Sequence, residues 1–477
     1  MRIWQKIAFS VSLLGINFIA IRGTFEMYPL GKMVPTLSEN RFINSLSQNG
    51  AKYFIEALKL RLKFKNGNYD LISKLGYNFN DLNINKILNE TEYITPSNPT
   101  LEKIKPNVVF IMVESFGYLP LEYNNENFNI MGELKAHFNS DFLWTNFIAS
   151  GNGTIESLES LMLNIQLRPE SMPFVESRDA HQNFSFAPSE IYNRAGYFSR
   201  FIYGGDLSWR NIGDFAKVQG FASVEGKAHI LKTAQNYFGN RDFLHPWGIH
   251  DEYLYHHIYR ILNESKNPQF IFALTTDNHP PYKLPREWIS PSLNFSDRFS
   301  QNISGNLDLA KARFLSFQYA LHSLGKFITK IKKSPLNKNT IIVVTADHNI
   351  PNGILKYSSN HDDVLNYKRI PLYIYIPKAI LNSLEYHNID TNLYGSHKDI
   401  FPTIYDLSLS NTKYNSIGIS LLRKDLSHFG ANISGIVISK DKILTEVNLQ
   451  KSQIVEENLY KDSLLKTELL IRNEREK

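Results

Sequence analysis

At 477 residues the chain is long enough for a large core and more than one folded unit. Its 43% hydrophobic and 21% charged residues are those of a globular protein, and a net charge of +6 permits contact with anionic lipids without forming a nucleic-acid footprint. There is no cysteine, which excludes disulfides, thiolate zinc sites, iron–sulfur clusters and a cysteine nucleophile.

The chain opens with a mostly apolar run, Ile7 to Ile21, preceded by Arg2 and Lys6 and followed by Arg22. Residues 1–22 read as a signal anchor or transmembrane segment. A cleaved signal, a truncated last membrane helix and a soluble core helix are the alternatives. The basic residues before the run place its start inside and the following domain outside the membrane. Residues 23–104 read as a helical accessory segment and linker, with helical spacing from Phe42 to Leu62 and a proline-containing TPSNPTLEKIK before the next unit.

From residue 105 the pattern changes. Asn107–Glu114 is apolar on both faces, as a central parallel strand requires. Similar runs follow at Phe198–Tyr203, Gln269–Thr275, Thr340–Thr345 and Ile370–Ile376. Helical stretches alternate with them at Ile155–Leu163, Pro188–Ala195, Asp251–Ile261, Leu307–Lys332 and Lys398–Leu407. The pattern predicts an α/β fold with a mainly parallel central sheet flanked by helices over 105–446. A small β-hairpin at 433–446 turns at Lys440-Asp441, and a charged helical tail, 447–477, faces solvent or membrane.

Polar residues gather just after the strands, where open parallel sheets bind ligands. Glu114 follows one strand, Gly204-Gly205-Asp206 another, Asp277-Asn278-His279 a third, and Asp347-His348 a fourth. Glu114, Asp347 and His348 offer two carboxylates and one imidazole on one sheet edge. That set suits Mn²⁺ or Mg²⁺, with Zn²⁺ also possible. Between them lies Gly151-Asn152-Gly153-Thr154, a glycine loop leading into a helix. Taken alone, Thr154 reads as a helix N-cap. Beside a metal and a helix N-terminus it reads as a nucleophile toward phosphorus. His279 is a candidate to protonate a leaving oxygen, and Asp206, Trp209 and Arg210 form a candidate substrate loop.

The motifs PNVVFIMVES, GNGT, YGGD, TTDNHPPY, VVTADHN and SHKDIFPT occur here in that order. The ordered set resembles the lipoteichoic acid synthase-like phosphoglycerol transferases of the alkaline phosphatase/sulfatase superfamily. The resemblance covers about residues 104–446. It implies one Mn²⁺-like ion held by Glu114, Thr154, Asp347 and His348, with Thr154 as nucleophile. It also implies contact of His279, Asp206, Trp209 and Arg210 with glycerol phosphate. In the SHKD motif His397 is expected near the site, and a structural role is expected for Asp399 to Pro402. The implied partners are a phospholipid donor, a glycan or polymer acceptor and the membrane, with the catalytic domain outside the bacterial cytoplasm. Asn349 stands where the family usually has glycine, and Gly204 where the Gram-positive synthases carry histidine. A formylglycine sulfatase would need Cys or Ser in a C/S-x-P-x-R context, and none is found. A phosphoethanolamine transferase or a phosphodiesterase of the same fold is the enzymatic alternative. A catalytically dead scaffold is the other, opposed by retention of Glu114, Thr154, Asp347 and His348.

Overall fold

Seven strands form the sheet that positions every strand-end residue named above. The computed structural model describes residues 2–22, 54, 58–59, 70–349, 355–356, 361–386, 388–450 and 452–476. The chain divides into two units, Met1–Gly50 and Ala51–Lys477. In the first, α1 spans Ile3–Arg22. No helix among the described residues is long and apolar enough to cross a membrane. The helix expected over Phe42–Leu62 falls almost entirely outside the described residues.

The strands of the second unit are β1 (Asn107–Val113), β2 (Phe142–Trp144), β3 (Phe198–Tyr203), β4 (Ser223–Glu225), β5 (Gln269–Leu274), β6 (Thr340–Ala346) and β7 (Leu372–Tyr375). Their order is β2-β7-β6-β1-β5-β3-β4. Pairing is parallel from β6 through β1, β5 and β3 to β4. The β6–β7 and β7–β2 pairs are antiparallel. Every residue of β1, β5 and β6 is buried. Continuous β-branched and aromatic runs suit strands covered by helices on both faces. The register sets Ala346 beside Val113, so Glu114 and Asp347 emerge from neighbouring strand ends.

Helix α2 (Thr154–Leu163) begins beside this edge. On the flanks lie α3 (Asp251–Glu264) and the long α4 (Leu307–Lys332). The TPSNPTLEKIK stretch, expected as linker, instead contains a helix, Pro99–Ile104. Asn98 caps it by accepting from the Thr100 and Leu101 amides. Just before it, Glu92–Ile94 pairs with Lys413–Asn415. The hairpin expected at 433–446 is present as Val437–Ser439 with Ile443–Leu444, joined by Phe429–Ala431 in a small sheet.

The C-terminal helix α5 (Val455–Arg475) departs from its expected solvated character. Tyr460, Leu464 and Leu469 are buried with Leu71 and Ile72. Its charges are tied down instead of solvated: Glu468 meets Arg168 at 2.8 Å and Arg475 meets Asp179 at 2.5 Å. Pairing offsets much of the desolvation cost that makes a charged helix look unburiable from sequence.

Candidate active site

The four residues at the centre come from three separate strand or helix ends. Thr154 Oγ1 donates to Asp347 Oδ2 at 2.6 Å and lies 3.3 Å from Glu114 Oε2. His348 Nε2 is 3.4 Å from Asp347 Oδ2 and 3.9 Å from Glu114 Oε1. Thr154 is not the N-cap. Gly153 occupies that position, and Thr154 is the first helical residue, its hydroxyl turned to the carboxylates. A contact to Asp347 thus stands where a capping bond was one expectation.

Local chemistry fixes each group. Ser115 sits at φ 51°, a left-handed conformation that breaks the strand directly after Glu114. The Ser115 amide donates to Asp347 Oδ1 at 2.6 Å and its hydroxyl to Glu114 Oε1 at 2.7 Å. Asn278 Nδ2 donates to the Glu114 and Ser115 carbonyls. The His348 ring has Nδ1 at 2.7 Å from the Asn349 carbonyl, so its proton belongs there and the Nε2 lone pair faces the carboxylates. Gly151 is required by close approach. A Cβ there would lie 2.6 Å from Glu156 Cβ and 2.7 Å from the Ser157 amide.

Electrostatics follow from burial. Asp347 is pushed up to about 7 by burial and by the Glu114 carboxylate beside it. Burial also opposes ionisation of Glu114, but His279 and His348 outweigh it and hold that carboxyl below its usual value. His348 is raised: burial lowers it, and the Asp347 and Glu114 carboxylates more than compensate. Two buried carboxylates facing one imidazole are the donor set of a divalent cation site. Glu114, Asp347 and His348 would hold such an ion, with the Thr154 hydroxyl beside them.

His279 lies close enough to lower Glu114. Its ring packs on Trp247 at 3.7 Å between centroids, and Nδ1 lies 3.2 Å from the Pro280 carbonyl, which leaves Nε2 for a ligand. The substrate-loop residues are placed differently. Asp206 accepts from Ser208 and from Lys227 Nζ at 3.3 Å. Trp209 packs on Tyr203 at 6.2 Å. Arg210 pairs with Glu176 at 2.7 Å. None of these partners is one of the four central residues. Arg210 also lines a cavity of about 200 Å³ with Ile155 and Glu156 of the first turn of α2, next to Thr154.

His397 makes bonds of a structural kind. Nε2 donates to the Ala346 carbonyl at 2.9 Å and Nδ1 accepts from the Ser150 amide at 3.3 Å. It therefore ties the β6 end that carries Asp347 to the loop that carries Thr154.

A second cluster is His245, His250 and Asp277, all buried; Asp277 lies in the TTDNHPPY motif, whereas His245 and His250 are in none of the motifs named above. The Trp247 amide donates to His245 Nδ1 at 3.4 Å, so His245 Nε2 carries the proton and gives it to Thr276 Oγ1 at 3.0 Å. His250 Nδ1 donates to Asp277 Oδ1 at 2.8 Å, and the Asp251 amide to Oδ2 at 2.6 Å. A nitrogen that must keep its proton is a poor ligand. This network braces the segment that carries His279.

A family model for sulfatases matches residues 106–408. The chain belongs to the Sulfatase family. Within this family its curated relatives include phosphoglycerol transferase I of Salmonella arizonae, 28% identical over 275 residues, which make up 55% of this chain and 33% of that protein. Lipoteichoic acid synthase 1 of Bacillus subtilis is 24% identical over 341 residues, 67% of this chain and 48% of the relative. The chain thus spans between a third and a half of these relatives' lengths. In structure it is similar to the lipoteichoic acid synthase LtaP of Listeria monocytogenes, with a TM-score of 0.59 at 15% identity, covering 83% of this chain and 97% of that one. That likeness establishes the alkaline phosphatase-like α/β fold.

Proposed function

We propose that this Sulfatase-family chain is a metal-dependent phosphoglycerol transferase. It moves glycerol phosphate from a phosphatidylglycerol-like lipid to a glycan or polymer hydroxyl through a phosphothreonine at Thr154. The observation that carries this reading is the Thr154 hydroxyl, 2.6 Å from Asp347 Oδ2 at the start of a helix. The names of the Salmonella and Bacillus relatives support the choice of transferred group. The work is done at the cell envelope, outside the cytoplasm, with Ile3–Arg22 as the membrane-associating segment.

A divalent ion held by Glu114, Thr154, Asp347 and His348, Mn²⁺ by its hard donor set, would supply positive charge for phosphate oxygens and acidify the threonine. The protein's own groups do the rest. Asp347 Oδ2 takes the Thr154 proton as Oγ1 bonds to phosphorus. The bond from phosphorus to the diacylglycerol oxygen breaks on the opposite side. Burial lowers His279 in the free protein; the entering phosphodiester anion favours its charged form, and Nε2 then gives its proton to that oxygen. In the second half, neutral His279 takes the proton of the acceptor hydroxyl as its oxygen attacks phosphorus. Thr154 Oγ1 leaves and recovers its proton from Asp347. Free amides in the first turn of α2 stabilise charge on the phosphoryl oxygens. Asp206, Trp209 and Arg210 complete the binding surface for the glycerol end.

The test is a donor panel. Purified protein with Mn²⁺ should release diacylglycerol from labelled phosphatidylglycerol and leave phosphatidylethanolamine and aryl sulfates untouched. Preferential turnover of phosphatidylethanolamine would convert the reading to a phosphoethanolamine transferase.

A further inference from the structure

Two side chains outside the central four connect the loop that carries Thr154 to the segment that carries His348. The last carbonyls of a helix have no partner within it. For the helix His361–Lys368, Asn349 supplies donors from outside. Its Nδ2 donates to the Tyr367 carbonyl and, at 3.4 Å, to the Asn366 carbonyl. The backbone carbonyl of the same buried Asn349 accepts from His348 Nδ1 at 2.7 Å. At the end of the helix, Lys368 Nζ donates to Asn152 Oδ1 in the glycine loop. Asn152 is held twice more, by its amide to Glu156 Oε2 at 2.7 Å and by Nδ2 to Ser434 Oγ at 2.8 Å. A route of bonds thus runs from His348 through Asn349, the helix end and Lys368 to the loop that ends in Thr154.

The chain around Lys368 also meets the other segments of the site. The Arg369 carbonyl accepts from the Tyr118 amide at 3.1 Å, in the stretch after Glu114, and the Ile370 amide donates to the Phe147 carbonyl at 2.9 Å, ahead of the glycine loop. Residues 366–370 therefore lie where the segments bearing Glu114, Thr154 and His348 converge. Lys368 is an expensive residue for that place. It is half-buried, and burial lowers its ammonium from the ordinary lysine value against the pull of the Glu156 charge. An apolar chain of similar length would fill the space without that desolvation. What the ammonium adds is a donor for Asn152 Oδ1, which hydrocarbon cannot supply.

We infer that Lys368 and Asn349 are positioning residues for the nucleophile: together they clamp the Gly151–Thr154 loop to the segment after His348 and so hold the Thr154 hydroxyl at Asp347. Lys368 acts through Asn152, and Asn349 through the helix end that presents Lys368. The effect of the clamp on turnover rests on the phosphothreonine reading; its effect on the loop does not.

Hydrogen–deuterium exchange of the full chain with Mn²⁺ and no donor reads the clamp independently of any substrate. The peptide spanning Gly151–Ser157 should exchange about five- to tenfold faster in Lys368→Met and in Asn349→Ala, the loss of one hydrogen bond, with peptides of β1 and β6 unchanged. With phosphatidylglycerol, kcat should fall about ten- to a hundredfold in Lys368→Met while KM stays within about twofold. Adding Lys368→Met to Asn152→Ala should cost nothing further, since the partner is already gone. Wild-type loop exchange in both single variants would overturn the clamp, as would equally faster exchange in β1 and β6, or a wild-type kcat despite a loosened loop. A further fall in kcat on adding Lys368→Met to Asn152→Ala would make Lys368 a substrate contact and overturn its positioning role. A loosened loop in a protein that turns over no phosphatidylglycerol would uphold the clamp and remove the phosphoglycerol transferase reading instead.

Discussion

Thr154 Oγ1 and Asp347 Oδ2 are 193 residues apart in sequence and 2.6 Å apart in space. The contact joins the hydroxyl that ends the glycine loop to a carboxylate that two backbone amides, Ser115 and His348, already hold in place. The acceptor of the threonine proton is therefore preorganised, and the nucleophile is positioned by the helix it begins.

Asp347→Asn keeps the shape and can keep both amide bonds through its carbonyl, but it cannot take a proton or balance a cation. Turnover should fall by about 10²- to 10⁴-fold. Stability of the metal-free protein should hold or rise, because Glu114 loses a buried like charge beside it. Paired activity and thermal melting measurements check both.

Metal binding should be visible without turnover. Adding Mn²⁺ to chelator-treated protein should raise the melting temperature, with about 2.7 kcal/mol of stabilisation at a hundredfold excess over Kd. Glu114→Gln should abolish most of that rise. A full rise in the variant would remove Glu114 from the ligand set.

Gly151→Ala puts a methyl group against Glu156 and the Ser157 amide. Overpacking of this kind costs about 1–3 kcal/mol. Activity should drop further than stability, because the strain falls on the first turn of α2, which sets Thr154. Denaturant unfolding and kcat measured on the same sample separate the two.

His397 gives a pH signature. Burial holds its folded value down at about 3 against an ordinary 6.5. Above pH 6.5 neither state is protonated and its full contribution is present. As pH falls from 6.5 toward 3 the unfolded chain binds a proton that the folded chain refuses, so stability is lost, at most about 1.4 kcal/mol per pH unit. His397→Gln should be less stable at pH 7.5, by about 1–3 kcal/mol for the bonds it loosens, and the gap should narrow at pH 5. Urea denaturation at the two pH values reads this directly.

Much of the site was legible because a charged residue at the end of a fully apolar strand is costly to keep unless it works at the sheet edge. Glu114 after NVVFIMV and Asp347-His348 after IIVVTA had to meet if their strands were neighbours, and they are. The bracing was not legible. Ser115 looks like any serine until its φ of 51° is seen, and Asn278 matters through two carbonyls more than 160 residues away. The ion pair of Arg210 with Glu176 was not legible either, because nothing in the sequence ties the two together. The C-terminal helix misled for the same reason: charge predicts solvent only while its partners are unknown, and here Arg168 and Asp179 supply them.

Everything in the proposed mechanism turns on Thr154 carrying the glycerol phosphate between donor and acceptor. The decisive experiment is intact-protein and peptide mass spectrometry of enzyme quenched in acid after mixing with Mn²⁺ and phosphatidylglycerol, with no acceptor added. We expect a mass gain of one glycerol phosphate on the peptide containing Thr154, absent from Thr154→Ala. Label on another residue, or full turnover by Thr154→Ala, would rule the phosphothreonine out.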